Sequence, residues 1–172
     1  MDLILARLYY KSMPKSKSRK KKMITIGIDS STTNCGVAIF ENGTLLKTLN
    51  FEFPGRYDLT KLEQITRTFI EVFREHKPQM VILETPAPVR NSRTLTALNQ
   101  VAGAIWGVAV SQGIFIDTMH NKIAKKVMET KTKEEAIKKV EEVFGLIVET
   151  DHEADAVLVV EAYRIYMNER AI

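Results

Sequence analysis

The chain has 172 residues, 45% hydrophobic and 27% charged, with a formal net charge of +4, which suits one domain with a sizeable core. No apolar run reaches the roughly 18 residues of a membrane span, and the single cysteine, Cys35, excludes an intrachain disulfide or a multi-cysteine zinc site. The charge is unevenly placed, with eight Lys/Arg and one Asp in residues 1–22 and 17 bases against 20 acids in the rest.

Residues 1–22, "MDLILARLYYKSMPKSKSRKKK", therefore read as a basic, flexible extension drawn to polyanions. The apolar stretch "LILARLYYK" with interspersed bases can alternatively be read as a mitochondrial presequence. The folded domain is expected over 23–172. "ITIGID", "CGVAIF" and "TLLKTLNFEF" predict three strands joined as hairpins, with Asn42-Gly43 turning the second. Leu59, Leu62, Ile65, Phe69, Val72 and Phe73 then recur at helical spacing, and Pro78 closes that helix. "MVILE" follows as a continuous apolar strand, covered on both faces. "TPAPVRN" predicts a loop, and 92–113 a small-residue helix capped by Ser92 and stopped at Gly113. "IFIDTM" predicts a strand, and 121–145 a charged helical stretch broken near Thr130–Thr132. Thr150 and Glu153 form a capping box that starts the last helix. This order implies an α/β domain with a mixed sheet covered by helices.

Two of these strands end on an acid, Asp29 and Glu84. Sites in sheets with parallel strands gather at the carboxyl ends of the strands. If the two strands are neighbours, their carboxylates repel unless a cation lies between them. His152 and Asp155, three residues apart, share one face near the start of the last helix. An oxygen-rich, thiol-free cluster of this kind suits Mg2+ or Mn2+. Two such ions about 4 Å apart are the usual machinery of in-line phosphodiester hydrolysis. Each residue also has a plainer role open to it. A strand-ending acid serves turns, Asp151 and Glu153 favour a helix N-terminus, and His76, His120 and His152 can be surface imidazoles. The order of three acid-bearing segments carries the argument.

"IGIDSSTTNCGVAIF", "VILETPAPVRNSRTLTALNQVAGAI" and "DHEADAVLVVEAY" resemble, in order, the three motifs of the RuvC family of Holliday-junction resolvases, within the RNase H-like superfamily. The resemblance covers about residues 23–166. It implies an RNase H-like fold with a mixed five-stranded sheet, three antiparallel strands first and parallel strands after, and helices on both faces. It implies catalytic metal ligands at Asp29, Glu84 and Asp155, with His152 at the variable fourth position, and two Mg2+ or Mn2+ per site. The implied activity is paired nicking of four-way DNA junctions by a homodimer in bacterial or phage cytoplasm, without membrane or small-molecule cofactor. Arg90, Asn91 and Arg93 around the second-motif loop are candidate DNA contacts, as are Lys122, Lys125, Lys126 and Lys133 beyond the fifth strand. Three features depart from the family. Ser30-Ser31 replaces Pro-Gly, the loop after Glu84 lacks an aromatic, and "METKTKEE" replaces a glycine-rich segment. They imply a divergent, phage-type member. An alternative is an RNase H-like nuclease acting on other branched DNA or on RNA. A further alternative is an actin-like ATPase, whose phosphate hairpin also reads Gly-Ile-Asp-x-x-Thr-Thr-Asn. That family needs two such domains and a later Asp-Gly-Gly motif, which this sequence lacks.

Overall fold

The computed structural model describes residues 22–169. The basic 1–22 stretch therefore lies outside the described residues, except for Lys22, which pairs with Glu41 at 2.8 Å. Five strands form one sheet in the order β3-β2-β1-β4-β5. These are β1 (Ile24–Ser30), β2 (Asn34–Glu41), β3 (Thr44–Glu52), β4 (Met80–Thr85) and β5 (Phe115–His120). The first three are antiparallel neighbours, whereas β4 pairs parallel to β1 and β5 parallel to β4. Asn42 and Gly43 turn the β2–β3 hairpin with φ of 52° and 84°, the left-handed pair that a tight hairpin requires.

Period-2 alternation sends the strands' side chains to two different cores. Ile26, Ile28, Val81 and Leu83 join one apolar cluster with Ile65 and Phe69 of α1 (Leu59–His76) and Val101 and Ile105 of α2 (Ser92–Ser111). Ala38, Met80, Ile82 and Met119 join the other with α3 (Asn121–Val127), α4 (Lys133–Phe144) and α5 (Asp151–Glu169). Helices thus cover both faces, and β4 is buried at five of its six residues, as its unbroken apolar run requires.

Local chemistry sets the helix ends. Asp58 caps α1 by accepting from Lys61 N. The residue that leaves α1 is Lys77, in the left-handed conformation, one position before Pro78. Two boundaries differ from expectation. Asn91, not Ser92, caps α2: its backbone is extended, and its side-chain oxygen accepts from both Arg93 N and Thr94 N. The helix also ends at Ser111, and Gly113, with φ of 71°, makes the reversal into β5 rather than the stop itself. The break between α3 and α4 falls where expected, with Thr132 and Glu135 forming a capping box for α4.

Two glycines fix how closely α5 lies on the sheet. A Cβ on Gly27 would sit 2.1 Å from Ala156 O, and one on Gly36 would sit 2.0 Å from His152 O. A glycine inside a strand marks such a close backbone approach. Gly27 and Gly36 are therefore what let the start of α5 settle over β1 and β2.

Candidate metal centre

Asp29 and Glu84 are the next-to-last residues of β1 and β4. The parallel register pairs Ile28 with Leu83, so the two acids follow side by side on neighbouring strands. Alternation points both toward the α5 face, where Asp155 stands one turn into the helix. Asp29, Glu84 and Asp155 each offer a carboxylate oxygen, and these oxygens all lie within 4.8 Å of one another. A strand, a second strand and a helix start thus converge at one edge of the sheet.

His152, also on α5, bonds through Nδ1 to Asp29 Oδ2 at 2.5 Å, so Nε2 is the ring nitrogen a cation or water would meet. Asp151 is ion-paired with Lys133, the first residue of α4. Lys125 Nζ lies 3.8 Å from Asp155 Oδ2. Asn121 Nδ2 donates to Glu84 Oε1 at 2.9 Å and reaches Asp155 Oδ2 at 3.4 Å.

The electrostatics are those of crowded acids. Burial, and then the neighbouring Asp29 carboxylate, pushes the Glu84 carboxyl up to about 8, against the pull of Asn121 and Lys125. Burial also raises Asp155, opposed by Lys125. The bond to Asp29 raises His152. Glu84 Oε2 is buried without a hydrogen-bond partner, and a buried polar atom left in that state is costly. Three converging carboxylates, an orphaned oxygen and an all-oxygen donor set fit a hard divalent cation such as Mg2+ or Mn2+.

The other sequence candidates divide by location. Arg90, Asn91 and Arg93 are exposed at the β4–α2 junction, with Asn91 engaged in the helix cap. Lys122 and Lys126 are exposed on α3. Lys125 approaches Asp155 of the cluster, and Lys133 pairs with Asp151 beside it. The β1–β2 turn needs no Pro-Gly, because Ser31 Oγ accepts from Thr33 N and Asn34 N and donates to Asn34 O. Sequence reasoning missed Asn121, which stands directly after a third strand end, and the two glycines under α5. The signals were an amide at the close of "IFIDTMHN" and glycines inside two apolar strands.

No protein-family model and no curated protein matches the chain. Among solved structures it is similar to Thermus thermophilus RuvC in complex with a Holliday junction substrate. That match has 19% identity and a TM-score of 0.73, covering 86% of this chain and 96% of that one. A second Thermus thermophilus RuvC structure matches at 19% identity and a TM-score of 0.71, over 86% of this chain and 97% of that one. The yeast mitochondrial Holliday junction resolvase matches at 10% identity and a TM-score of 0.64, over 86% and 80%. The fold is that of RuvC. Within the RuvC fold, the carboxylate cluster occupies the carboxyl edge of the two central parallel strands, β1 and β4.

Proposed function

We propose that the chain is a RuvC-family, divalent-metal-dependent endonuclease that resolves four-way DNA junctions as a homodimer, in bacterial or phage cytoplasm. The observation that carries this reading is the convergence of Asp29, Glu84 and Asp155 within 4.8 Å on a fold shared with a protein solved on a Holliday junction.

In this reading Asp29, Glu84 and Asp155 hold two Mg2+ or Mn2+ ions, with His152 as the fourth member. When bound, the ions supply Lewis acidity and an activated water for in-line displacement at phosphorus. The chain's own residues do the rest. His152 fixes Asp29 through Oδ2, and Lys125 balances Asp155. Arg90, Arg93, Lys122 and Lys126 are charged and exposed, and phosphate contacts need charge and reach more than fixed geometry. Asn91 shapes the loop that carries Arg90. Lys133, beside the cluster, adds a cation near the DNA path. A two-fold dimer would offer one site to each of two symmetry-related strands. The basic 1–22 arm would add salt-sensitive affinity for the polyanion.

The test is to incubate the protein with labelled four-way junction, linear duplex and RNA–DNA hybrid, with and without Mg2+. Junction-selective, Mg2+-dependent paired nicks are expected, and Asp29→Asn should remove cutting while junction binding persists. Preferential cutting of the hybrid would move the substrate class to RNA. Cutting without a divalent ion would remove the metal assignment.

A further inference from the structure

Asn121 opens α3 directly after β5 ends at His120. The adjoining pairing sets Glu84 opposite Met119 and Thr85 opposite His120, so the strand edge delivers Asn121 beside Glu84. Ala124 and Met128, buried in the core with α5, anchor the short helix that carries it. Lys125, one turn along and so on the same face, lies 3.8 Å from the Asp155 oxygen that Asn121 also reaches.

A primary amide nitrogen carries two N–H donors. One such nitrogen can therefore serve two carboxylates at once, and Asn121 Nδ2 is set between Glu84 Oε1 and Asp155 Oδ2. An ammonium in that place would repel an incoming cation, whereas an amide carries no charge at any ordinary pH. The bond to Oε1 leaves the buried Oε2 of Glu84 without a protein partner. We infer that Asn121 is a positioning residue for the metal centre, tying Glu84 to Asp155 and leaving Glu84 Oε2 free to bind the cation. This inference rests on the metal-dependent reading above. Asn121 touches neither substrate nor scissile phosphate in this role and acts through the two carboxylates.

The test titrates the full chain with Mn2+ by calorimetry, comparing wild type, Asn121→Ala, Asn121→Leu and Asn121→Gln. Leu keeps the side-chain volume without a donor, so the experiment survives if the alanine variant misfolds. Residues that orient metal ligands typically contribute about 10- to 100-fold in affinity. Ala and Leu should each weaken Mn2+ binding by about that factor, with metal-free junction affinity unchanged. Asn121→Gln, which keeps the amide, should recover part of the loss, and saturating Mn2+ should restore cutting more than limiting Mn2+ does. Wild-type Mn2+ affinity in Asn121→Ala or Asn121→Leu would overturn the inference. So would a Gln variant no better than Leu, which would assign the effect to packing. If Asp29→Asn loses Mn2+ while the Asn121 variants keep it, the metal centre stands and this inference alone fails. If the wild type binds no Mn2+, the metal centre fails and the inference with it.

Discussion

Glu84 and Glu153 are almost equally buried, at 9% and 8% exposure, the first at the end of β4 and the second in the first turn of α5. Their surroundings could hardly differ more. Glu153 Oε1 accepts from Thr48 Oγ1 at 2.7 Å, and Oε2 accepts from Thr150 N, Thr150 Oγ1 and Glu149 N. Glu84 has one bond from Asn121, two acids beside it and an oxygen with no partner. Glu153 is an acid the fold uses to begin a helix and tie it to β3. Glu84 is an acid the fold holds at a cost, which points to a ligand.

The sharpest way to break that contrast is to neutralise each acid in turn. Glu84→Gln replaces a buried carboxyl crowded by Asp29 with a neutral amide and should leave the melting midpoint of the metal-free protein unchanged or higher. It should also abolish metal-dependent cutting, by at least about 1,000-fold, since a bound metal supplies several kcal/mol of transition-state stabilisation. Glu153→Gln should do the opposite. Charged acceptor bonds are lost, at about 1–3 kcal/mol of stability, while Mn2+ affinity stays near wild type. Melting curves and Mn2+ titrations of the two variants check both halves. A Glu84→Gln protein that still cuts would place the site elsewhere.

The two acids also mark where the sequence was readable. The Thr150–Glu153 capping box was legible because its signature is local, four residues on one turn. Asp29, Glu84 and Asp155 were legible as separate segment ends, and motif order joined them. The element order and the left-handed Asn42-Gly43 turn followed from periodicity and turn chemistry. What escaped depended on pairings between distant segments. Asn121 meets Glu84 only because β5 lies beside β4. Gly27 and Gly36 gain meaning only once α5 lies across β1 and β2. The α2 cap moved from Ser92 to Asn91 because either residue type can fill that position, and only backbone geometry separates them.

A second way to sharpen the contrast is pH. The Glu84 carboxyl is raised from 4.5 to about 8, first by burial and then by Asp29. A carboxyl with a folded-state pKa above its unfolded value holds its proton longer in the folded chain. Its contribution is fully present below about pH 4.5 and is lost as pH rises through 8. His152 and Asp155, both raised, act in the same direction. Metal-free stability should therefore fall between about pH 5 and 8, by an amount on the order of a few kcal/mol. A divalent ion takes the place of the protons, so stabilisation by Mg2+ should grow across the same window. Melting in EDTA and in Mg2+ from pH 5 to 8 measures both trends. Glu84→Gln should flatten them and Glu153→Gln should not, so equal slopes in the two variants would erase the distinction between the acids.

The smallest expected effect comes from the packing that brings the two regions together. The start of α5 carries Glu153 on one side and His152 and Asp155 on the other, and its height above the sheet is set at Gly36. A methyl at that position would meet His152 O at 2.0 Å and Glu153 N at 2.7 Å. Both are backbone atoms that no side-chain rotation can clear. Gly36→Ala should therefore lift the helix start, at about 1–3 kcal/mol, the usual cost of overpacking. The capping box of Glu153 is internal to the helix and travels with it, so its local bonds should survive. The metal centre is shared between helix and strands, so it should not. Gly36→Ala should then lose Mn2+ affinity out of proportion to its loss of stability, whereas Glu153→Gln loses stability alone. A Gly36→Ala protein with wild-type Mn2+ affinity would mean that Asp155 reaches Asp29 and Glu84 without the close approach of α5.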